Sequence, residues 1–354
     1  MRDVFLSSYF VHLTPEIILL KALKYTLIVP VYNRPNEIDE LLESLMHQDF
    51  QKDYEILIVE DGSKETSEEV IKKYSDQLNI TYFFKENSGP GDSRNFGMRH
   101  AKGNYFIILD SDVILPPQYL SAIDSYLQDN YLDCFGGADA AHESFTTLQK
   151  AINYVMTSFL TTGGIRGNKK SIQKFEPRSF NMGISKEAFE ATQGFSRVHP
   201  GEDPDLSQRI VKAGFTTGFL PGAHVFHKRR ISWKKFYIQV KKFGTARPFL
   251  SKWHPATEKI TFWFPTLFVF FTFASIATSI FINYLMILPL AAYVGIIFLD
   301  STFKNRSLTV GLLTIVALFI QFFGYGLAFL KSTFYIKFLG RDPETQFPKM
   351  FFKA

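Results

Sequence analysis

The chain has 354 residues, 46% of them hydrophobic and 21% charged, with a formal net charge of +5 and one cysteine. That apolar content excludes a disordered chain and suffices for one large domain or two modest ones. The single thiol, Cys134, excludes an internal disulfide and suits a reducing compartment. The positive balance fits anionic lipid or phosphate-bearing substrates, and no nucleic-acid partner is expected.

Residues 1–24 read as an N-terminal extension. Asp3, His12 and Glu16 interrupt its apolar patches, so no signal-peptide core forms. From residue 25 short β-rich runs alternate with helix-period segments. Tyr25 to Val29 reads as a buried strand, and Asn36 as the cap of a helix that turns Ile38, Leu41, Leu42 and Leu45 to one face. Tyr54 to Val59 is a second strand, followed by a helix with Val70, Ile71, Tyr74 and Leu78 inward. Thr81 to Phe84, Tyr105 to Leu109 and Cys134 to Ala138 add further strands. This order predicts an α/β domain over residues 25–230, its sheet mostly parallel and its helices on both faces. Ligands of such sheets sit at the carboxyl ends of the strands. The polar clusters Pro30 to Asn33, Glu60 to Ser63, Asn87 to Asn95 and Asp110 to Asp112 all fall there.

Beyond the fifth strand, Leu148, Ile152, Val155, Met156, Phe159 and Leu160 form a helical packing stripe. Residues 163–170, rich in Gly and ending in two lysines, are expected to be a lid. Residues 231–259 are a basic region in which Trp233, Phe236, Tyr237 and Val240 share a face flanked by Lys234, Lys235, Lys241 and Lys242. That pattern predicts a helix in the headgroup plane of a membrane. From Ile260 to Leu299 there is no Asp, Glu, Lys or Arg. As one helix this run is about 60 Å long, twice the hydrocarbon thickness, so two spans are expected, 260–281 and 284–299, turning at Asn283-Tyr284. Residues 308–330 make a third, and 331–354 a basic aromatic tail. Lys304 and Arg306 in the second loop put the N-terminal domain on the cytoplasmic side of the cell (inner) membrane. Three crossings would then put the tail outside, against its own Lys331, Lys337, Arg341, Lys349 and Lys353. Three solutions stay open: an incomplete third span, an outside tail, or a tail lying on the membrane face.

Two acidic clusters carry chemistry. Residues i and i+2 of a strand end point the same way, so Asp110 and Asp112 present two carboxylates to one cation while Ser111 faces away. Hard divalent ions, Mg²⁺ or Mn²⁺, take such oxygen ligands and share them with phosphates. In Gly201-Glu202-Asp203-Pro204-Asp205-Leu206 the acids precede a helix, so they are either caps or a general base.

Five segments, Thr26 to Pro35 (TLIVPVYNRP), Ile56 to Ser63 (ILIVEDGS), Ser88 to Gly97 (SGPGDSRNFG), Tyr105 to Asp112 (YFIILDSD) and Gly201 to Arg209 (GEDPDLSQR), resemble in order and spacing the family 2 glycosyltransferases of the membrane-anchored bacterial type. The resemblance implies a GT-A fold, an inverting transfer from a nucleotide-sugar donor, and a divalent metal. It places Pro30, Tyr32 and Glu37 at the nucleoside pocket wall and Asp61 at the base. Asp92 and Arg94 line the donor site, Asp110 lies between ribose and metal, and Asp112 is the metal ligand. Asp203 is the catalytic base and Glu202 shapes the acceptor site. It also suggests His227, more than His224, as completing the metal site, and Asn181 as approaching the donor sugar. The processive members' Gln-x-x-Arg-Trp motif is missing, Ser207-Gln208-Arg209-Ile210 standing in its place. A single transfer from a UDP-sugar to a hydroxyl of a lipid-linked glycan is therefore expected. Polyprenyl phosphate is the alternative acceptor. A sugar nucleotidyltransferase and a non-catalytic sugar- or nucleotide-binding module are the competing classes, the former disfavoured by Pro30 to Arg34 where such enzymes carry a Gly-rich loop.

Overall fold

The computed structural model describes residues 22–140, 145–162, 176–227 and 232–352. It opens with three strand–helix units: β1 (Tyr25–Val31), α1 (Pro35–Met46), β2 (Tyr54–Asp61), α2 (Glu68–Lys72), β3 (Ile80–Lys85) and α3 (Pro90–His100), leading to β4 (Tyr105–Leu109). Both faces of β1 are covered, which is why its sequence is continuously apolar. Leu27, Val29 and Val31 pack with Ile38, Leu41, Leu42 and Leu45 of α1, while Ile28 joins Phe106, Ile108 and Met98 on the other face. A Cβ at Gly97 would come within 2.5 Å of Ile28 Cγ2, so only glycine lets α3 lie this close to the sheet. The expected cap at Asn36 is corrected: α1 starts at Pro35, whose fixed φ suits the first turn, and Arg34 is the capping position.

The chain continues through β5 (Val113–Ile114), α4 (Tyr119–Asp129), β6 (Cys134–Ala140), α5 (Thr147–Thr157), α6 (Phe159–Thr162), β7 (Asn181–Ser185), α7 (Lys186–Thr192), α8 (Glu202–Lys212) and β8 (Thr217–His227). Among the described residues these strands form one sheet in the order β3-β2-β1-β4-β7-β6-β8-β5. Pairs β1–β2, β2–β3, β1–β4 and β6–β8 are parallel; β4–β7, β6–β7 and β5–β8 are antiparallel. The strand order reverses between β1 and β4, the place where the ligand crevice of such sheets lies at the carboxyl ends of the strands. The packing stripe expected through Leu160 stops at Met156. Ser158 leaves the helix with φ −64° and ψ 140°, which turns Phe159 out to 68% exposure.

Four long helices follow: α9 (Trp233–Trp253), α10 (Phe264–Phe281), α11 (Leu288–Asn305) and α12 (Leu308–Thr333). Three segments, Ile260–Phe281, Tyr284–Asn305 and Leu308–Phe338, are long and apolar enough to cross a membrane. The break falls where the sequence put it, with Asn283 Oδ1 accepting the Leu285 N–H at 2.9 Å. The second helix outruns its expected end at 299 because Lys304 pairs with Asp300 one turn away, at 2.8 Å. The membrane-facing role expected for the α9 aromatic face is corrected. Phe236 and Val240 are buried against Ile152, Leu318 and Phe322. Glycines make that contact possible: a Cβ at Gly244 would stand 2.3 Å from the Tyr325 carbonyl oxygen, and one at Gly324 2.8 Å from Val240 Cγ2. Of that face, Tyr237 stays exposed.

After α12 and the short α13 (Pro343–Gln346) the chain returns to the sheet domain. Val198 and Phe351 form an antiparallel bridge, the His199 N–H donates to Met350 O at 2.8 Å, and the Phe352 N–H donates to Arg197 O at 3.1 Å. Val198, Ala246, Phe249, Ile336 and Met350 bury one another beneath it.

Candidate active site

Residues Asp110 to Asp112 leave β4 in a turn, at the strand whose five residues are all buried. Strand alternation stops at Leu109, and with it the expectation that Asp110 and Asp112 face one way and Ser111 the other. Ser111 Oγ donates to Glu37 at 3.1 Å, and Asp112 accepts from Arg34 at 3.1 Å. Arg34 also pairs with Glu37 at 2.8 Å, so Ser111 and Asp112 meet the same pair at the start of α1. Asp110 meets a different cation, Arg94 of α3, at 2.7 Å.

Arg94 is the hub. It is 4% exposed, donates to Asp110 and, at 3.3 Å, to Glu202 of α8, and its guanidinium lies 5.2 Å from the Phe195 ring centre. Burial works against its charge, but Asp110, Asp203 and Glu202 together hold its pKa above the ordinary value. Glu202 is also buried, gripped by His199 Nδ1 at 2.8 Å and by the Gly201 N–H at 2.9 Å. It therefore supports the site from beneath rather than lining a surface for an acceptor. Burial alone would raise the Glu202 pKa; His199 and Arg94 outweigh it and hold the carboxyl well below its usual range. The neighbouring Asp203 goes the other way: burial, then the charge on Glu202, push it up. One of its oxygens, Oδ1, is buried without a hydrogen-bond partner. Two adjacent carboxyls whose environments drive their pKa values apart give one permanent anion and one proton acceptor.

At the end of β2, Asp61 is 3% exposed and accepts from the Ser88 and Gly89 N–H groups at 3.0 and 2.9 Å and from Lys85 at 2.7 Å. It fixes the loop that feeds α3, where Gly89 takes φ 94°. Asp92 pairs with Ser88 Oγ and, at 3.4 Å, with Lys85. Pro30 is the last residue but one of β1, and Tyr32, just past the strand, is 52% exposed, free to meet a planar ring. A cleft of about 160 Å³ lies beside Asp92, walled by Ser88, Phe195, Arg197, His199 and Phe352.

Asn181 does not face this crevice. It is fully buried, accepting from Tyr119 Oη at 2.7 Å and donating to Ala223 O at 2.7 Å, and so stitches β7 to β8 and α4. At the start of β7 its amide is thus engaged within the sheet, where the resemblance had it approach the donor sugar. His224 pairs with Ala138 within the sheet. The backbone of His227 pairs with Val113, directly after Asp112, so register brings it to the triplet. The lid expected at 163–170 lies outside the described residues.

Asp110 and Asp112 lie at one turn but are paired with different cations, Arg94 and Arg34, so a divalent ion would have to displace both pairs to be held by the two carboxylates. Among the described residues no third His, Cys, Asp or Glu completes a cage. Sequence reasoning missed Arg34, Lys85 and His199. Arg34 had a signal, a cation at the end of β1, the strand that neighbours β4. His199 had a weaker one, three residues before Glu202. Phe352, distant in sequence, had none.

Residues 26–192 match the profile of Glycosyl transferase family 2. An uncharacterised glycosyltransferase of Rickettsia bellii is 29% identical over 42% of this chain and 20% of its own length. The poly(ribitol-phosphate) beta-N-acetylglucosaminyltransferase TarS of Staphylococcus aureus is 32% identical over 31% of this chain and 20% of its own. The chain thus spans about a fifth of these relatives. Among solved structures, the mannosyltransferase PcManGT of Pyrobaculum calidifontis, in complex with GDP-Man and Mn²⁺, superposes with TM-score 0.56 at 16% identity, covering 91% of this chain and 89% of that one. It shares the fold.

Proposed function

We propose, on the match of residues 26–192 to Glycosyl transferase family 2, that the whole chain transfers a single sugar, with inversion, from a UDP-sugar to a hydroxyl of a lipid-linked glycan at the cytoplasmic face of the inner membrane. The observation that carries this reading is the opposed pair at the start of α8, with Asp203 raised beside the Arg94-held Glu202. In a one-step inversion the acceptor hydroxyl attacks as its proton leaves, and a carboxylate of raised pKa is the stronger acceptor for that proton. Asp203 Oδ1, already stripped of protein partners, is the atom to receive it.

The departing group is a nucleoside diphosphate, and a divalent ion at Asp112 and Asp110 would neutralise its growing charge. Around that ion the protein's own residues orient the donor. Tyr32 offers its ring to the nucleoside, and Arg34 and Arg94 supply cations at the two sides of the triplet. A hydroxyl acceptor is supported by the name of the Staphylococcus aureus relative, an N-acetylglucosaminyltransferase acting on poly(ribitol-phosphate), a hydroxyl-bearing polymer. The membrane setting is supported by the three apolar helices. The test is a panel of nucleotide sugars with purified protein in detergent, with Mg²⁺, with Mn²⁺ and with chelator. Metal-dependent release of nucleoside diphosphate from one donor is expected; release that ignores the chelator would remove the metal role from Asp112.

A further inference from the structure

Apolar length makes each of α10, α11 and α12 a candidate span, but their flanks do not lie where crossing helices would leave them. Glu258, before α10, pairs with Lys337, after α12. The residues beyond Lys337 reach the sheet domain through the Val198–Phe351 bridge, and the start of α10 is held by Arg247, 4.4 Å from the Phe262 ring centre. Both ends of the apolar region are therefore on the sheet domain's side. The α11–α12 junction lies against α5, a helix that shares one buried cluster with Phe236 and Val240 of the lysine-bearing α9. Tyr154 of α5 bonds Asp300, and Lys304 lies 5.7 Å from the Tyr154 ring centre. With both its ends on one side, α12 makes no net crossing. Its second half runs beside α9, a helix carrying Lys234, Lys235, Lys241 and Lys242 that cannot sit in hydrocarbon.

The remaining hairpin, α10 and α11, reaches only a short way beyond its last protein contacts, although its outer face is apolar and exposed further back as well, at Leu267, Phe270 and Phe273 of α10 and Phe303 of α11. Tyr293 Oη donates to Leu160 O at 2.9 Å, anchoring α11 near its start to the domain. From Tyr293 back to Tyr284 the chain makes about one and a half α-helical turns and one 3₁₀ turn, a reach of about 15 Å. On α10, Phe273 still meets Phe323, and the helix runs on for about 12 Å to Phe281. A hydrocarbon core of about 30 Å is at least twice either distance. The tip is nonetheless strongly apolar and open, Phe281, Ile282 and Tyr284 being 84%, 74% and 74% exposed. Exposed Lys304, Arg306 and Lys331 stand behind it, at the level of lipid phosphates.

We propose that residues 260–338 cross no membrane: they form a platform that inserts the α10–α11 tip into a single leaflet of an anionic bilayer, with both flanks and the segment 339–352 on the sheet domain's side. The proposal is independent of the transfer chemistry. It is tested in the full chain by single-cysteine labelling with a membrane-impermeant maleimide, in sealed right-side-out and inverted vesicles from the expressing cells. The one native thiol, Cys134, is fully buried and serves as background. Glu65→Cys and Lys349→Cys, both at exposed positions, are expected to label in the same vesicle orientation. Asn283→Cys and Tyr284→Cys at the tip are expected to label in neither, and fully once detergent opens the membrane. Labelling of Lys349→Cys from the face opposite to Glu65→Cys overturns the shared side. Labelling of either tip variant from the opposite face reveals a crossing hairpin, and labelling from the same face removes the insertion; either result overturns the proposal.

Discussion

Replacing Asp203 by Asn should separate activity from stability. Asn keeps the size and removes the charge that burial and Glu202 oppose. As the proton acceptor is lost, turnover should fall by about 10²–10⁴-fold while donor binding persists. Stability should move the other way. Because the folded pKa of Asp203 lies above its unfolded value, its contribution to stability is intact at low pH and is lost as pH rises through the folded pKa. An uncharged Asn escapes that loss. Oδ1 is buried without a partner, a burden of about 1–3 kcal/mol for a polar atom. A gain of about 1 kcal/mol, or a few degrees in Tm, is expected at about pH 7.5, shrinking toward zero at about pH 4. Thermal unfolding in detergent at both pH values, beside initial rates, reads the two effects. Turnover within a few-fold of the parent would remove Asp203 as the base and favour an acceptor already ionised, such as a lipid phosphate. A fall in Tm near neutral pH would refute the electrostatic reasoning.

Asp112→Ala should cut metal-stimulated release of nucleoside diphosphate by more than about a hundredfold, with rates compared with and without chelator. Asn181→Ala should leave the Tyr119 hydroxyl and the Ala223 carbonyl unpaired in the sheet, and lower stability by about 2–4 kcal/mol on a denaturant curve while residual activity follows the folded fraction. For Asp205, burial alone would raise the pKa; Arg209 and His254 hold it lower. Its stabilising part is therefore present above the ordinary carboxylate range and lost as pH falls through it, and Asp205→Asn should flatten that acid limb of a Tm-against-pH profile.

The sheet core was legible because β1, β2 and β4 are short, apolar and bounded by polar turns, a pattern that local sequence carries. The triplet and the acidic pair were legible for the same reason, since each follows a secondary-structure boundary. Their wiring was not. Arg94 joins Asp110 to Glu202, 108 residues apart from it in the second case, and no periodicity reports a contact across such a distance. Asn181 came only from the resemblance, as approaching the donor sugar, whereas its amide satisfies buried groups of β8 and α4 that local sequence does not report. On α9 the aromatic face was read correctly as apolar but given lipid as its neighbour. Gly244, Gly324 and Gly326 were the overlooked signal, small residues at which helices approach closely.

Arg94 has one further consequence. A single guanidinium serves the end of β4 and the start of α8, so the two halves of the site draw on one positive charge. Whatever pulls Asp110 away from it releases that charge toward Glu202 and Asp203. Substitutions on opposite sides of the crevice are thus coupled, and the effect of changing both Asp110 and Glu202 should depart from the sum of the separate effects. For a lineage of such chains, that coupling makes the donor side and the acceptor side difficult to vary one at a time.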